Sequence, residues 1–202
     1  MSAADQIQQM IRSPSGAPLS AEQVTNAYII AQRFEAAGYG LPMIMAAIAN
    51  AYAESSLLAW KVGDKGASVG LFQLYDKGAG AGMTVEQRKD PTTNTDRIIK
   101  EVSIYGKKRL IPAYQSGTPF DELADLFCQD IERPADAVTK GRYRAEVARA
   151  MFPTAPAAGP QPAPAPDPSS PSAPSAPSSP SASKWAIGAI LAATAAALLR
   201  RR

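Results

Sequence analysis

The chain has 202 residues, with 21 Lys+Arg, 18 Asp+Glu, no histidine and one cysteine. That length holds one ordinary domain plus appendages; the missing histidine excludes Ser-His-Asp and Cys-His catalysis and imidazole zinc sites, and the single Cys128 excludes an internal disulfide. Setting aside Lys184, Arg200, Arg201, Arg202 and Asp167 leaves 17 charges of each sign before residue 153, so the formal +3 belongs to the tail and no nucleic-acid partner is expected.

No basic-then-apolar signal pattern opens the chain. "AADQIQQMIRS" is a short helical pattern that "SPSGAP" breaks, giving an N-terminal segment over 1–19. "LSAEQVTNAYIIAQRFEAAGYG" reads as a helix with Ser20 as N-cap, Gln23 at capping-box spacing, and Gly38 and Gly40 at its end. Pro42 suits the first turn of the next helix, roughly Leu41 to Ser56, whose Ala, Met, Ile and Leu residues predict burial on most faces. Gly38, Gly40, Pro42 and Asn50 interrupt that run too often for a membrane span.

The glycine-rich "KVGDKGASVGLFQLYDKGAGAG" contains the β-like run "SVGLFQLY" and predicts a loop or small hairpin. Helices are expected over "DPTTNTDRIIKEVSIY", "TPFDELADLFCQDIE" and "RYRAEVARAMF". "GKKRL" at 106–110 reads as a solvated helix end, and Cys128, on the apolar stripe of Phe120, Leu123, Ala124, Phe127 and Ile131, as a buried small hydrophobe. The expected fold class is mostly α (α+β): a compact helical domain over 20–152 with one small β-hairpin element.

Eleven prolines lie between Pro153 and Pro180, among Ser and Ala, so residues 153–183 read as an extended, disordered linker. Residues 184–202 hold an uncharged run, Trp185 to Leu199, closed by three arginines. As a helix that run spans only about 22 Å, short of the roughly 30 Å hydrocarbon core. Lys184 and Arg200 can snorkel to make up part of the difference, so a membrane partner through this segment is expected, with an interfacial or protein contact as the alternative.

From Ala36 to Ala53 no residue is charged, and the run then delivers Glu54 in "AYAESSL". A carboxylate at the end of an apolar helix is an exposed end residue, the partner of a buried arginine, or a general acid. Burial disfavours the charged form, so such a carboxyl keeps a proton near neutral pH, as protonation of a glycosidic oxygen requires.

A Glu-Ser at a helix end, followed by a loop and Gly-Leu-Phe-Gln, resembles the signature of goose-type lysozymes and soluble lytic transglycosylases. The fuller string "AYAESSL…VGDKGASVGLFQL", with the later "FCQDIERP", resembles the phage tail lysozyme group of peptidoglycan hydrolases over roughly residues 25 to 152. The resemblance implies cleavage of the β-1,4 bond between N-acetylmuramic acid and N-acetylglucosamine. It implies Glu54 as the catalytic acid and Ser55 as a partner of that carboxyl or of substrate. Ser68, Gly70, Leu71, Phe72 and Gln73 match the element lining the sugar groove, and the amide of Gln73 suits N-acetyl and hydroxyl recognition.

Asp64, on a glycine-flanked loop, reads two ways: a second catalytic carboxylate that positions water, or a turn aspartate bonding its own backbone. Trp60 and Tyr75 read either as sugar-stacking platforms or as core packing. "AYQSG" at 113–117 has Gln115 where transglycosylases usually carry asparagine. Tyr114 is therefore a candidate substrate or carboxyl contact, and the choice between hydrolase and anhydro-forming transglycosylase stays open.

No cofactor or metal is expected, because histidine is absent and the acidic residues lack EF-hand spacing. The expected partners are peptidoglycan glycan strands, the membrane and other virion proteins; the expected location is a phage virion or a membrane-anchored site facing the wall. The competing readings are a non-catalytic glycan-binding or virion structural protein that kept the fold, and a membrane-anchored adaptor.

Overall fold

Side-chain caps begin several of the helices. Ser2 and Ser20 each accept from a backbone N–H three residues on, and Asp5 and Gln23 reach back to the cap N–H, closing capping boxes. These start α1 (Ala3–Met10) and α2 (Ala21–Ala36). The computed structural model describes residues 1–156 and 159–162. The expected C-terminal helix over 184–202 and most of the linker lie outside the described residues. Among the described residues no helix is long and apolar enough to cross a membrane.

α3 (Leu41–Ser55) begins after Gly40 with Pro42 in its first turn, and eleven of its fifteen residues are buried. It packs against α2 and against the last two helices. Burying Met43, Ile44, Met45 and Ile48 completely contributes about 1.5–3 kcal/mol per side chain. Asn50, also fully buried, donates through Nδ2 to Ala46 O at 2.8 Å and to Ala124 O at 3.0 Å, tying α3 to the helix that carries Ala124. The helix ends at Ser56 and Leu57, both at positive φ.

The expected hairpin is a three-stranded antiparallel sheet of two-residue strands: β1 (Val62–Gly63), β2 (Ser68–Val69) and β3 (Leu74–Tyr75), in that order. Val69 pairs with Val62 and Leu74, and Ser68 with Gly63 and Tyr75. "SVGLFQLY" is therefore not one strand. Gly70 at φ +90° and Gln73 at φ +44° turn the chain between β2 and β3. A Cβ on Gly70 would collide with the carbonyl of Arg88 and the amide of Asn94, so only glycine fits the turn.

Two short helices were not expected from the sequence. α4 (Val85–Lys89) carries its own capping box from Thr84 and Gln87, and α6 (Leu110–Gln115) contains Tyr114. Between them runs α5 (Pro91–Tyr105), capped by Asp90. α7 (Phe120–Phe127) continues into a π-helical turn, Cys128–Glu132, which Arg133 ends at φ +51°. α8 (Ala137–Met151) begins earlier than the sequence pattern suggested, with Asp136 as cap. Gly141 hides that start. An added Cβ there would overlap the Asp125 carboxylate, so glycine admits α8 close to α7.

Ala4, Ile7 and Ile11 of the N-terminal segment join the same core as α3, and Arg12 N–H donates to Met151 O at 2.9 Å. The segment over 1–19 is thus packed on the domain rather than hanging from it. The start of the proline-rich stretch also rests on the fold, with Gln161 N–H on Gln115 O at 3.3 Å.

Candidate active site

Glu54 occupies the last turn of α3, with its side chain 25% exposed. Of the three fates the sequence left open for this carboxylate, the structure shows a pairing with a buried arginine. Arg144 of α8 forms an ion pair with it, donating from Nη2 to Glu54 Oε1. The same nitrogen donates to Glu132 Oε2 at 3.2 Å. Arg144 and Glu132 side chains are 5% and 8% exposed, so the guanidinium is buried between a deep carboxyl and a shallower one.

The π-helical turn sets Glu132 there. A wide turn shifts the residues that follow it, and such turns are frequent at functional sites. Burial first, then the neighbouring Glu54, push the Glu132 carboxyl up to about 8, against the opposing pull of Arg144. Burial opposes the guanidinium's charge, but Glu132 and Glu54 outweigh it and the net shift of Arg144 is upward. Cys128, on the same turn, is a buried free thiol. Burial, followed by Glu132, pushes it to about 12, which makes it a buried hydrophobe rather than a nucleophile.

Ser55 joins the glutamate's helix to the Gly-Leu-Phe-Gln turn. Its buried hydroxyl donates to Leu71 O at 2.8 Å and to Ala51 O at 3.0 Å, sharing its one proton between the two carbonyls. Asn94, buried on α5, braces the turn from below: its Oδ1 accepts from Phe72 N–H at 3.1 Å while its Nδ2 donates to Arg88 O at 2.6 Å. Arg88 in turn donates to Ala67 O at 2.6 Å and Leu74 O at 3.0 Å, fixing both sides of the β2–β3 connection. Leu71, Phe72 and Leu74 point into the core, so they support the turn and do not wall a groove.

The remaining sequence candidates separate. Gln73 lies on the turn, half-buried, and its Nε2 donates to Lys61 O at 3.1 Å and Gly70 O at 3.0 Å. Asp64 is exposed at φ +47°, a conformation aspartate tolerates in turns, and its Oδ2 accepts from the Ser68 hydroxyl at 2.5 Å. Ser68 is itself buried. Tyr75 and Trp60 are 44% and 57% exposed, so neither is core packing. Tyr114 is placed at the opposite end of α3 from Glu54. It is fully buried and its hydroxyl accepts from Gly40 N–H at 2.6 Å, which corrects its reading as a contact to the carboxyl.

Glu132 and Arg144 were missed by the sequence reading. A signal was present: Arg144 falls on the stripe of Gly141, Ala148 and Met151, where an apolar residue belongs. A cavity of about 390 Å³ opens beside Ile11, Arg12, Leu19 and Val24, and none of the residues discussed above for the site lines it.

Residues 25–154 match the family model described as phage tail lysozyme. Neither the curated proteins nor the solved structures give a match. The matched stretch takes in more than half of the chain and contains Glu54, the Gly-Leu-Phe-Gln turn, Glu132 and Arg144: the chain belongs to the phage tail lysozyme family, which supports a lysozyme-like role in peptidoglycan degradation.

Proposed function

We propose that the chain cleaves the β-1,4 glycosidic bond between N-acetylmuramic acid and N-acetylglucosamine, with Glu54 as general acid. The observation that carries this reading is the position of Glu54: a partly exposed carboxyl at the end of a buried helix, paired with a buried guanidinium and tied through Ser55 to the Gly-Leu-Phe-Gln turn.

In this mechanism Glu54 gives its proton to the glycosidic oxygen as the C1–O bond breaks, and the bonding pair leaves with that oxygen. The sugar left behind is oxocarbenium-like. Water adds at C1 in the hydrolytic route; in the transglycosylase route the sugar's own 6-hydroxyl closes on C1, leaving a 1,6-anhydro end. In either route the attacking oxygen loses a proton to the Glu54 carboxylate, which restores the acid. Asp64 is assigned to the water of the hydrolytic route. Tyr75, exposed beside the turn, is assigned to stacking on a sugar face, and the free carbonyl oxygen of Gln73 to accepting from an N-acetyl N–H or a hydroxyl. Ser55 and Ser68 act by holding the turn and Asp64. The setting we assign is a phage virion that opens the wall during entry.

Mass spectrometry of the soluble products from purified peptidoglycan tests the bond. Anhydro ends name a transglycosylase and reducing N-acetylmuramic acid ends a lysozyme. Fragments cut only in the peptide stems would overturn the assignment.

A further inference from the structure

α8 buries Gly141, Arg144, Ala148 and Met151 along one stripe as it packs on α3 and α7. Its outward positions Lys140, Arg142, Glu146 and Arg149 carry charges, as a solvated helix face does. Tyr143 breaks that pattern, for it belongs to the outward set and is 51% exposed. Tyrosine is also a poorer helix former than the charged residues around it. Neither core packing nor helix propensity accounts for an aromatic at this position.

Its relation to Glu54 does. The Arg144 guanidinium lies over the Tyr143 ring, with Cζ 5.9 Å from the ring centroid, and the same guanidinium donates to Glu54. One guanidinium thus separates the ring from the carboxyl. Tyr105, half-exposed on α5, shows the opposite case. Arg133 covers its ring at 3.9 Å and is itself paired with Glu101, so that aromatic is already engaged. At 5.9 Å Arg144 stands at the limit of cation–π reach and leaves the Tyr143 ring open. Trp60 and Tyr75, also exposed, come from the loop and sheet that follow Glu54, whereas Tyr143 comes from the helix that supplies its counter-ion.

We propose that Tyr143 is a substrate-binding residue: its ring is a platform for one sugar of the glycan strand, on the α8 side of Glu54. The inference rests on the reading of this end of α3 as the site of glycan cleavage. A pyranose has a face of axial C–H groups, and an open aromatic ring offers it a flat apolar surface with no charge to desolvate. The phenol hydroxyl at the ring edge can bond a sugar hydroxyl. With Tyr75 assigned to stacking from the sheet, a second platform on α8 fixes the register of the strand. Register decides which glycosidic oxygen meets the carboxyl, and holding it there is a positioning effect on the reaction.

The test uses the full chain and a soluble, stem-free oligosaccharide of alternating N-acetylglucosamine and N-acetylmuramic acid. Cleavage kinetics are measured for the wild type, Tyr143→Ala and Tyr143→Phe. Calorimetry measures binding of the same oligosaccharide to Glu54→Gln, with and without Tyr143→Ala. In Tyr143→Ala, KM should rise at least about fivefold while kcat changes by less than about twofold, the pattern of lost binding. Kd in the Glu54→Gln background should weaken to match, and Tyr143→Phe, which keeps the ring, should stay within about twofold of the wild type. Unchanged KM and Kd in Tyr143→Ala would overturn the proposal. So would a fall in kcat alone, which would mean that the ring only steadies Arg144. If Tyr143→Ala does not fold, the Tyr143 ring-proton NMR signals of Glu54→Gln decide: they should shift on adding the oligosaccharide, and unmoved signals under saturation would overturn the proposal. Tyr143-dependent binding without Glu54-dependent cleavage would overturn the Glu54 reading and leave this one standing. Glu54-dependent cleavage with binding indifferent to Tyr143 would overturn this one alone.

Discussion

Arg144, on the last helix, ion-pairs with Glu54, 90 positions earlier in the chain. The pair closes the end of α3 against α8, and its cation is almost fully buried. Replacing Arg144 with Met keeps most of the volume and removes the charge. The expected loss is about 1–3 kcal/mol, less than for a fully buried unpaired ion because Glu132 can take up a proton and Glu54 is partly solvated. Urea unfolding at pH 7 measures it, and adding Glu132→Gln should recover part of the loss.

Glu132 makes stability depend on pH with a definite sign. Its carboxyl lies at about 8 in the fold, against an ordinary 4.5. Between those values the folded state binds the extra proton, so the contribution of Glu132 to stability is full below 4.5 and is lost as pH rises through about 8. Urea midpoints from pH 5 to 8 should therefore fall in the wild type and fall less in Glu132→Gln. Equal slopes in the two proteins would contradict the burial of an ionisable Glu132.

What was legible in the sequence was local. Ser20 and Gln23 announce a capping box three residues apart, and Pro42 with its apolar neighbours announces a buried helix. Glu54 stood out as the first charge after a long uncharged run. α4 was overlooked although Thr84 and Gln87 carry the same capping signal, because five residues give no hydrophobic period to read. α6 was hidden by Pro112. A buried arginine was one expected partner of Glu54, but which arginine was not read: Arg144 breaks an apolar stripe, yet it is distant in sequence and only the packing of α8 on α7 and α3 brings it near.

Gly141 tests that packing. On an open helix face, Gly→Ala stabilises by about 0.8–1 kcal/mol. Here the new methyl would overlap the Asp125 carboxylate, so Gly141→Ala should destabilise instead, by about 1–3 kcal/mol. A raised thermal midpoint would contradict the close approach of α7 and α8.

Tyr114 separates support from chemistry. Tyr114→Phe removes the hydroxyl that accepts from Gly40 N–H at the start of α3. The expected cost is about 1–2 kcal/mol in urea unfolding, with kcat on peptidoglycan within about twofold of the wild type, since a group that touches no reacting atom leaves transition-state binding intact. A large fall in kcat in a protein of normal stability would return Tyr114 to the site.

The most direct measurement is the rate at which the full chain and its Glu54→Gln variant solubilise labelled peptidoglycan, with circular dichroism on both to establish the fold. A drop of about 10²-fold or more in a folded Glu54→Gln protein is the expected result, the size of a lost general acid. Equal rates from the two folded proteins would contradict Glu54 as the acid.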